Sequence, residues 1–146
     1  MQDKIERKVT INAPKERVYS AITDPKQITQ WFPDTIDGEL KEGEQPIFDF
    51  GGHGKSQIYV VAMRPHDYFA YRWVPGASNF VGDVLSTRST LVEFNIAETD
   101  GVSTVSMTES GFSKLPKAQA EAAFKQNSGG WEFMLGRLEK VFSEEK

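Results

Sequence analysis

The chain has 146 residues, 38% hydrophobic and 26% charged, with a formal net charge of -4 and no cysteine. This balance predicts one folded domain over residues 1–146, with an ordered core from about 3 to 143, and fits neither disordered, fibrous nor membrane classes. The missing cysteines exclude a disulfide scaffold, thiol catalysis and cysteine-held metal and suit a reducing, cytoplasmic setting, while the scattered lysines and arginines argue against a nucleic-acid partner.

The opening "MQDKIERK" lacks the apolar stretch of a secretory signal, and no later run approaches the ~18–20 apolar residues of a membrane span. "KIERKVTI" alternates, with Ile5, Val9 and Ile11 on one face and Arg7 interrupting it, which predicts a strand. "NAPKERVYSAITDP" predicts a helix capped by Asn12, with Pro14 near its first position and Val18, Ala21 and Ile22 buried. "TDPKQITQWF" repeats the signal: Asp24 caps, Pro25 opens, Ile28, Trp31 and Phe32 point inward, and Pro33 ends the segment.

From there the period becomes two. "TIDGELKEG" is a weak strand, and "QPIFDFGG" a second with Phe48 and Phe50 on one face. "SQIYVVAMRP" sets Ile58, Val60 and Ala62 against Tyr59, Val61 and Met63, and "DYFAYRWVPG" aligns Phe69, Tyr71 and Trp73. "STLVEFNIAE" alternates Val92, Phe94 and Ile96 against Leu91, Glu93 and Asn95; Asp100–Gly101 is a hairpin signal, and "VSTVSMTESGF" runs back from it. Turns every 8–12 residues predict an antiparallel meander. Residues 75–88 fit neither period and form a long connection of the kind that often carries function.

The last third, from about Pro116 to Phe142, is helical, with Phe124, Trp131, Leu135, Leu138 and Phe142 in one stripe, Asn127 at its edge, and "SEEK" as a frayed tail. The order β, α, α, six β, α predicts an α+β fold, a curved antiparallel sheet packed on the long terminal helix. Gly129, Gly130 and Gly136 are costly inside a helix, by roughly 0.5–1 kcal/mol each relative to alanine. Gly130, beside the buried stripe, brings the backbone close to the sheet or leaves space beneath it. The Gly129–Gly130 pair is also a candidate kink site. Alternatively, Ser128–Gly130 merely breaks one helix from the next. Gly136 is left unexplained by either reading.

"GGHGKS" at 51–56 mimics the end of a phosphate-binding loop, but Asp49 stands where that loop needs glycine and a strand follows instead of a helix; a glycine-rich hairpin turn is expected. His53 and His66, the only histidines, lack metal-ligand spacing and sit by turns. No metal or cofactor is expected. Asp49, Glu93 and Glu109 lie in strands, and alternation places each opposite its apolar neighbours, facing solvent. One that faced the hollow would be desolvated, its pKa raised, and suited to acid–base work. Trp31, Phe48, Phe50, Tyr71, Trp73 and Trp131 are candidates to line an apolar pocket, with Asn127 and Tyr71 as its few polar groups.

The pieces "INAPKERVYSAITDPKQITQWF", "MRPHDYFAYRW", "STLVEFNI", "TESGF" and "GGWEFMLGRLEKVF", in this order, resemble the family related to the C-terminal domain of the activator of heat-shock protein 90 ATPase, within the START-like, helix-grip (SRPBCC) superfamily. The resemblance implies a seven-stranded antiparallel sheet gripping a C-terminal helix, with a cavity between. Superfamily members include carriers of lipids and hydrophobic ligands and polyketide cyclases or aromatases; the eukaryotic activator stimulates a chaperone ATPase. The expected role is therefore binding of a small hydrophobic or aromatic ligand, in a stress-related setting and without defined catalysis. Trp31, Phe48, Phe50, Tyr71, Trp73, Asn127 and Trp131 form the expected wall. The alternatives are a chaperone-interacting or regulatory module, for which Phe80, Val81, Val84 and Leu85 would supply the contact, and a cyclase-type enzyme.

Overall fold

Alternating and helical stretches become elements largely where the pattern places them. The computed structural model describes residues 3–75 and 79–143, so Glu144–Lys146 of the expected tail and residues 76–78 of the long connection lie outside the described residues. Strand β1 spans Lys4–Ile11, helix α1 Lys15–Thr23 and helix α2 Pro25–Ile28. Strands β2 to β7 follow at Thr35–Asp37, Ile47–Asp49, Lys55–Arg64, Tyr68–Trp73, Thr90–Thr99 and Val102–Ser110, and helix α3 runs from Lys117 to Ser143. The strands form one antiparallel sheet in the order β1-β7-β6-β5-β4-β3-β2, curved around α3, which is the α+β helix-grip architecture.

Local chemistry explains most boundaries. Asp24 caps α2 by accepting the Lys26 N–H at 3.2 Å, with Pro25 at the first helical position. Asn12 is not the cap of α1. Pro14 occupies that position and has no side-chain acceptor, and the Lys15 N–H donates instead to Glu98 Oε1 of β6 at 2.9 Å. At the β6–β7 turn, Asp100 and Gly101 both have positive φ, 52° and 80°, as the predicted tight hairpin requires.

One side of the sheet carries the core. Val92, Phe94 and Ile96 of β6, Phe69, Tyr71 and Trp73 of β5, and Ile5 and Ile11 of β1 are buried there. The alternation read for β4 holds only to Val60. The register skips a residue between Val60 and Ala62, so Met63 pairs with Phe69 and joins the core, while Ala62 pairs with Ala70 outside that cluster. Arg7, the charge that interrupts the apolar side of β1, reaches α3 and donates to the Ser128 carbonyl at 3.1 Å.

The terminal helix is one continuous α-helix through Ser128–Gly130, which removes the reading of a break there. A β-carbon added at Gly129, Gly130 or Gly136 would meet nothing within 4 Å, so none of these glycines is required for close approach to the sheet. Gly130 instead borders open space.

Candidate functional site

That space lies between the middle of α3 and the end of the sheet built by β3, β4 and β5. It is an open cavity of about 630 Å³, large enough for a multi-ring small molecule. Phe32, Phe50, Trp73 and Trp131 give it an aromatic wall, and Gly130 and Met134 belong to its helical side. Phe32 and Trp131 have ring centroids 5.3 Å apart and Trp73 and Trp131 5.9 Å apart, so the wall is one connected aromatic surface. Asp34, His53, Gln126 and Arg137 add polar and charged groups, and Phe133, 64% exposed, adds an apolar one.

Of the residues expected to line the hollow, Phe50, Trp73, Asn127 and Trp131 are brought together around the cavity. Trp31, Phe48 and Tyr71 are not among its lining residues; all three are fully buried in the packed core. Trp31 is fixed by donating its indole N–H to the Ala21 carbonyl at 2.8 Å and by stacking on Phe32. Phe48 and Tyr71 pack against each other at 6.0 Å. The interior is thus divided into a solid end and an open end. The 51–53 segment is a single 3-10 turn joining β3 to β4, as the glycine-rich turn reading predicted, and it carries His53 to the cavity. His66 sits elsewhere, edge-on to Tyr19 at 5.7 Å.

Behind the aromatic wall lies Glu109, which faces the interior and not solvent. Its side chain is fully buried, in register with Ser103, Val105 and Met107 on the inner face of β7. The Trp73 indole donates to Oε2 at 2.9 Å and the Thr90 hydroxyl at 2.6 Å. The Trp131 indole donates to Oε1 at 2.8 Å, and Asn127 Nδ2 reaches both oxygens at 2.9 and 3.2 Å. Strand pairing produces this arrangement: Trp73 lies directly opposite Thr90, and Glu109 lies opposite Val92, two residues further along β6. Asn127 and Trp131, four apart, project from one face of α3. No described ion pair involves Glu109, so hydrogen bonds alone compensate its burial.

The two other strand carboxylates stay on the opposite face, as expected. Glu93 accepts from the Tyr68 hydroxyl at 2.5 Å, and burial, followed by this contact with Glu93, pushes the Tyr68 phenol up to about 12. Asp49 accepts the Gly51 N–H at 2.9 Å. The sequence signal for Glu109 was present: Val105 and Met107 precede it at steps of two, so the buried face of β7 continues straight into the carboxylate.

Tyr71 shares that inner face. Its ring is fully buried and its hydroxyl has no partner among the described residues. Burial, and then the nearby negative charge of Glu109, hold its pKa well above the ordinary phenol value.

This geometry, with α3 laid against a seven-stranded sheet, agrees with a match over residues 12–143 to the family model described as "Activator of Hsp90 ATPase homolog 1-like protein". The chain belongs to this family. No curated relative matches the sequence. Among solved structures, DynU16, from the dynemicin biosynthetic locus, is 24% identical with a TM-score of 0.79; the match covers 99% of this chain and 48% of DynU16, so the chain spans about half that protein's length. MLL2253 from Mesorhizobium loti is 22% identical, TM-score 0.78, over 98% of both chains. The Aha1 dimer of Colwellia psychrerythraea is 18% identical, TM-score 0.76, over 97% of this chain and 96% of that one. At these identities the likeness is one of fold. No helix among the described residues is long and apolar enough to cross a membrane.

Proposed function

We propose that the protein binds a small hydrophobic or aromatic ligand in the cavity beneath α3. The single observation that carries this reading is the open space of about 630 Å³ beside the contiguous surface of Phe32, Phe50, Trp73 and Trp131. Each ~100 Å² of apolar ligand surface withdrawn from water there would contribute about 2.5 kcal/mol before ordering costs. A cytoplasmic, stress-related role belongs to the same proposal. Glu109 acts in it as a positioning group: its oxygens are occupied by four side chains and sealed behind the wall, so it holds the two indoles and Asn127 in place rather than exchanging protons with a guest.

Indole fluorescence is the direct test, because Trp73 and Trp131 both line the cavity. Titration with a panel of polycyclic aromatics is expected to quench it saturably. Gly130→Leu, which adds bulk where nothing lies within 4 Å, should weaken that binding at least tenfold while leaving the fold intact. Unchanged fluorescence throughout the panel would refute the reading.

A second reading, a chaperone-interacting or regulatory module, draws on the family's description and on Val81 and Leu85, which are 57% and 56% exposed. Of the apolar residues expected to form a contact on that loop, Val84 is instead fully buried and Phe80 is tied to β4 by paired backbone bonds with Lys55 and Gln57. Replacing Val81 and Leu85 by serine should abolish stimulation of a chaperone ATPase if this reading holds, and have no effect on ligand quenching.

A further inference from the structure

The buried carboxylate fixes more than the position of the wall; it also fixes which polar atoms the two indoles and Asn127 present to a guest. Both indole N–H groups, of Trp73 and Trp131, are consumed by Glu109. The aromatic wall therefore offers a guest ring carbon and no donor. Asn127 is different, because a carboxamide has two ends. Glu109 accepts from Nδ2 with both oxygens, so the amide cannot turn over without setting its oxygen against a carboxylate. Asn127 Oδ1 accepts a hydrogen bond from no described residue and is not among the buried unpartnered atoms, so it is not sealed within the core. Asn127 lines the cavity and Glu109 does not. Donation from Nδ2 to an anion also polarises the amide and makes Oδ1 a better acceptor.

We propose that Asn127 is a specificity-determining residue, and that the cavity selects flat aromatic ligands bearing a hydroxyl or amino hydrogen-bond donor over otherwise equal ligands lacking one. The inference rests on the ligand-binding reading above and names the chemistry that reading leaves open. The chain of cause is short: Glu109 orients the amide, the amide presents an acceptor, and the two indoles present none and donate elsewhere. A guest that places an ether oxygen or bare carbon against Oδ1 removes that acceptor from water without replacing its hydrogen bond.

The test compares pyrene, methoxypyrene, hydroxypyrene and aminopyrene by quenching of the indole fluorescence of the full chain. Hydroxypyrene and aminopyrene are expected to bind about tenfold or more tightly than methoxypyrene and pyrene, and the preference should collapse in Asn127→Leu. Equal binding of all four in the unmutated protein overturns the inference while leaving the ligand-binding reading standing. Binding of none overturns both. A preference that survives intact in Asn127→Leu assigns the selection to another group and overturns the role of Asn127. If Asn127→Leu does not fold, the same comparison in Asn127→Ala tests the role of Asn127, and equal binding of all four ligands in the unmutated protein overturns the inference whatever either variant does.

Discussion

Glu109 and Tyr71 face the same side of the sheet, two strands apart, in one row that the register aligns through Val92. Both are fully buried. The carboxylate is met by four donor side chains from β5, β6 and α3, whereas the phenol oxygen has no partner among the described residues. The difference follows from what each group costs when left alone. An uncompensated buried charge is far more expensive than an unpaired hydroxyl, which sits in the range of about 1–3 kcal/mol. Sheet and helix have therefore been arranged around Glu109, and Tyr71 is tolerated. The interior divides along the same lines: Trp73, Asn127 and Trp131, three of the four groups that serve Glu109, line the open end, while Phe48 and Phe69 pack on Tyr71 at the closed end.

The sharpest way to break this comparison is to remove the charge. Glu109→Leu leaves the indoles of Trp73 and Trp131 and the Asn127 amide without their shared acceptor. It is expected to cost on the order of 4 kcal/mol, measured by urea denaturation. Glu109→Gln should cost nearly as much despite its matching size, because its amide nitrogen would face donors. A loss below about 1 kcal/mol in both variants would mean that the donors are readily satisfied by water, and that the carboxylate does not organise the wall. A smaller cut tests one spoke. Trp131→Phe keeps an aromatic ring in the wall but deletes the pyrrole ring with its donor to Oε1, so a loss of about 1–3 kcal/mol is expected from the same measurement. A loss as large as that of Glu109→Leu would show that ring packing, and not the hydrogen bond, dominates at this position.

These contrasts also show what the sequence could and could not convey. The sheet was legible because Val92, Phe94 and Ile96, or Phe69, Tyr71 and Trp73, repeat at a step of two regardless of the partner strand. The α3 stripe was legible for the corresponding helical reason. The fault in β4 was not legible, since a bulge at Val61 depends on how β5 pairs with it. The cap of α1 was misread because the group that satisfies its first N–H, Glu98, comes from 83 residues away. Glu109 was read as facing solvent: its parity with Val105 and Met107 pointed inward, but the warrant for burying a carboxylate lies in donors on three other elements. The division of the aromatics between cavity and core was beyond periodicity, because Tyr71 and Trp73 have the same parity on one strand and only one of them reaches the cavity.

The smallest expected effect is the most discriminating for the phenol. Tyr71→Phe removes a hydroxyl that gains nothing in the folded protein, and it should stabilise the chain by about 1 kcal/mol, the recovered desolvation exceeding the small void left behind. The alkaline side supplies an independent reading. Because the folded-state pKa of Tyr71 is raised by burial and by Glu109, the native state favours the protonated phenol. Its contribution is complete below the ordinary value of 10.0 and is lost as pH rises toward the folded value. Tyr68 on the outer face has the same sign, its stability lost between 10.0 and about 12. Denaturation followed across that window should therefore show stability falling with pH. The fall should be shallower in Tyr71→Phe, and shallower again when Tyr68→Phe is added. If Tyr71→Phe instead destabilises the protein at neutral pH, the hydroxyl has a bonded partner such as a buried water. The contrast with Glu109 would then be one of how each group is satisfied rather than whether it is.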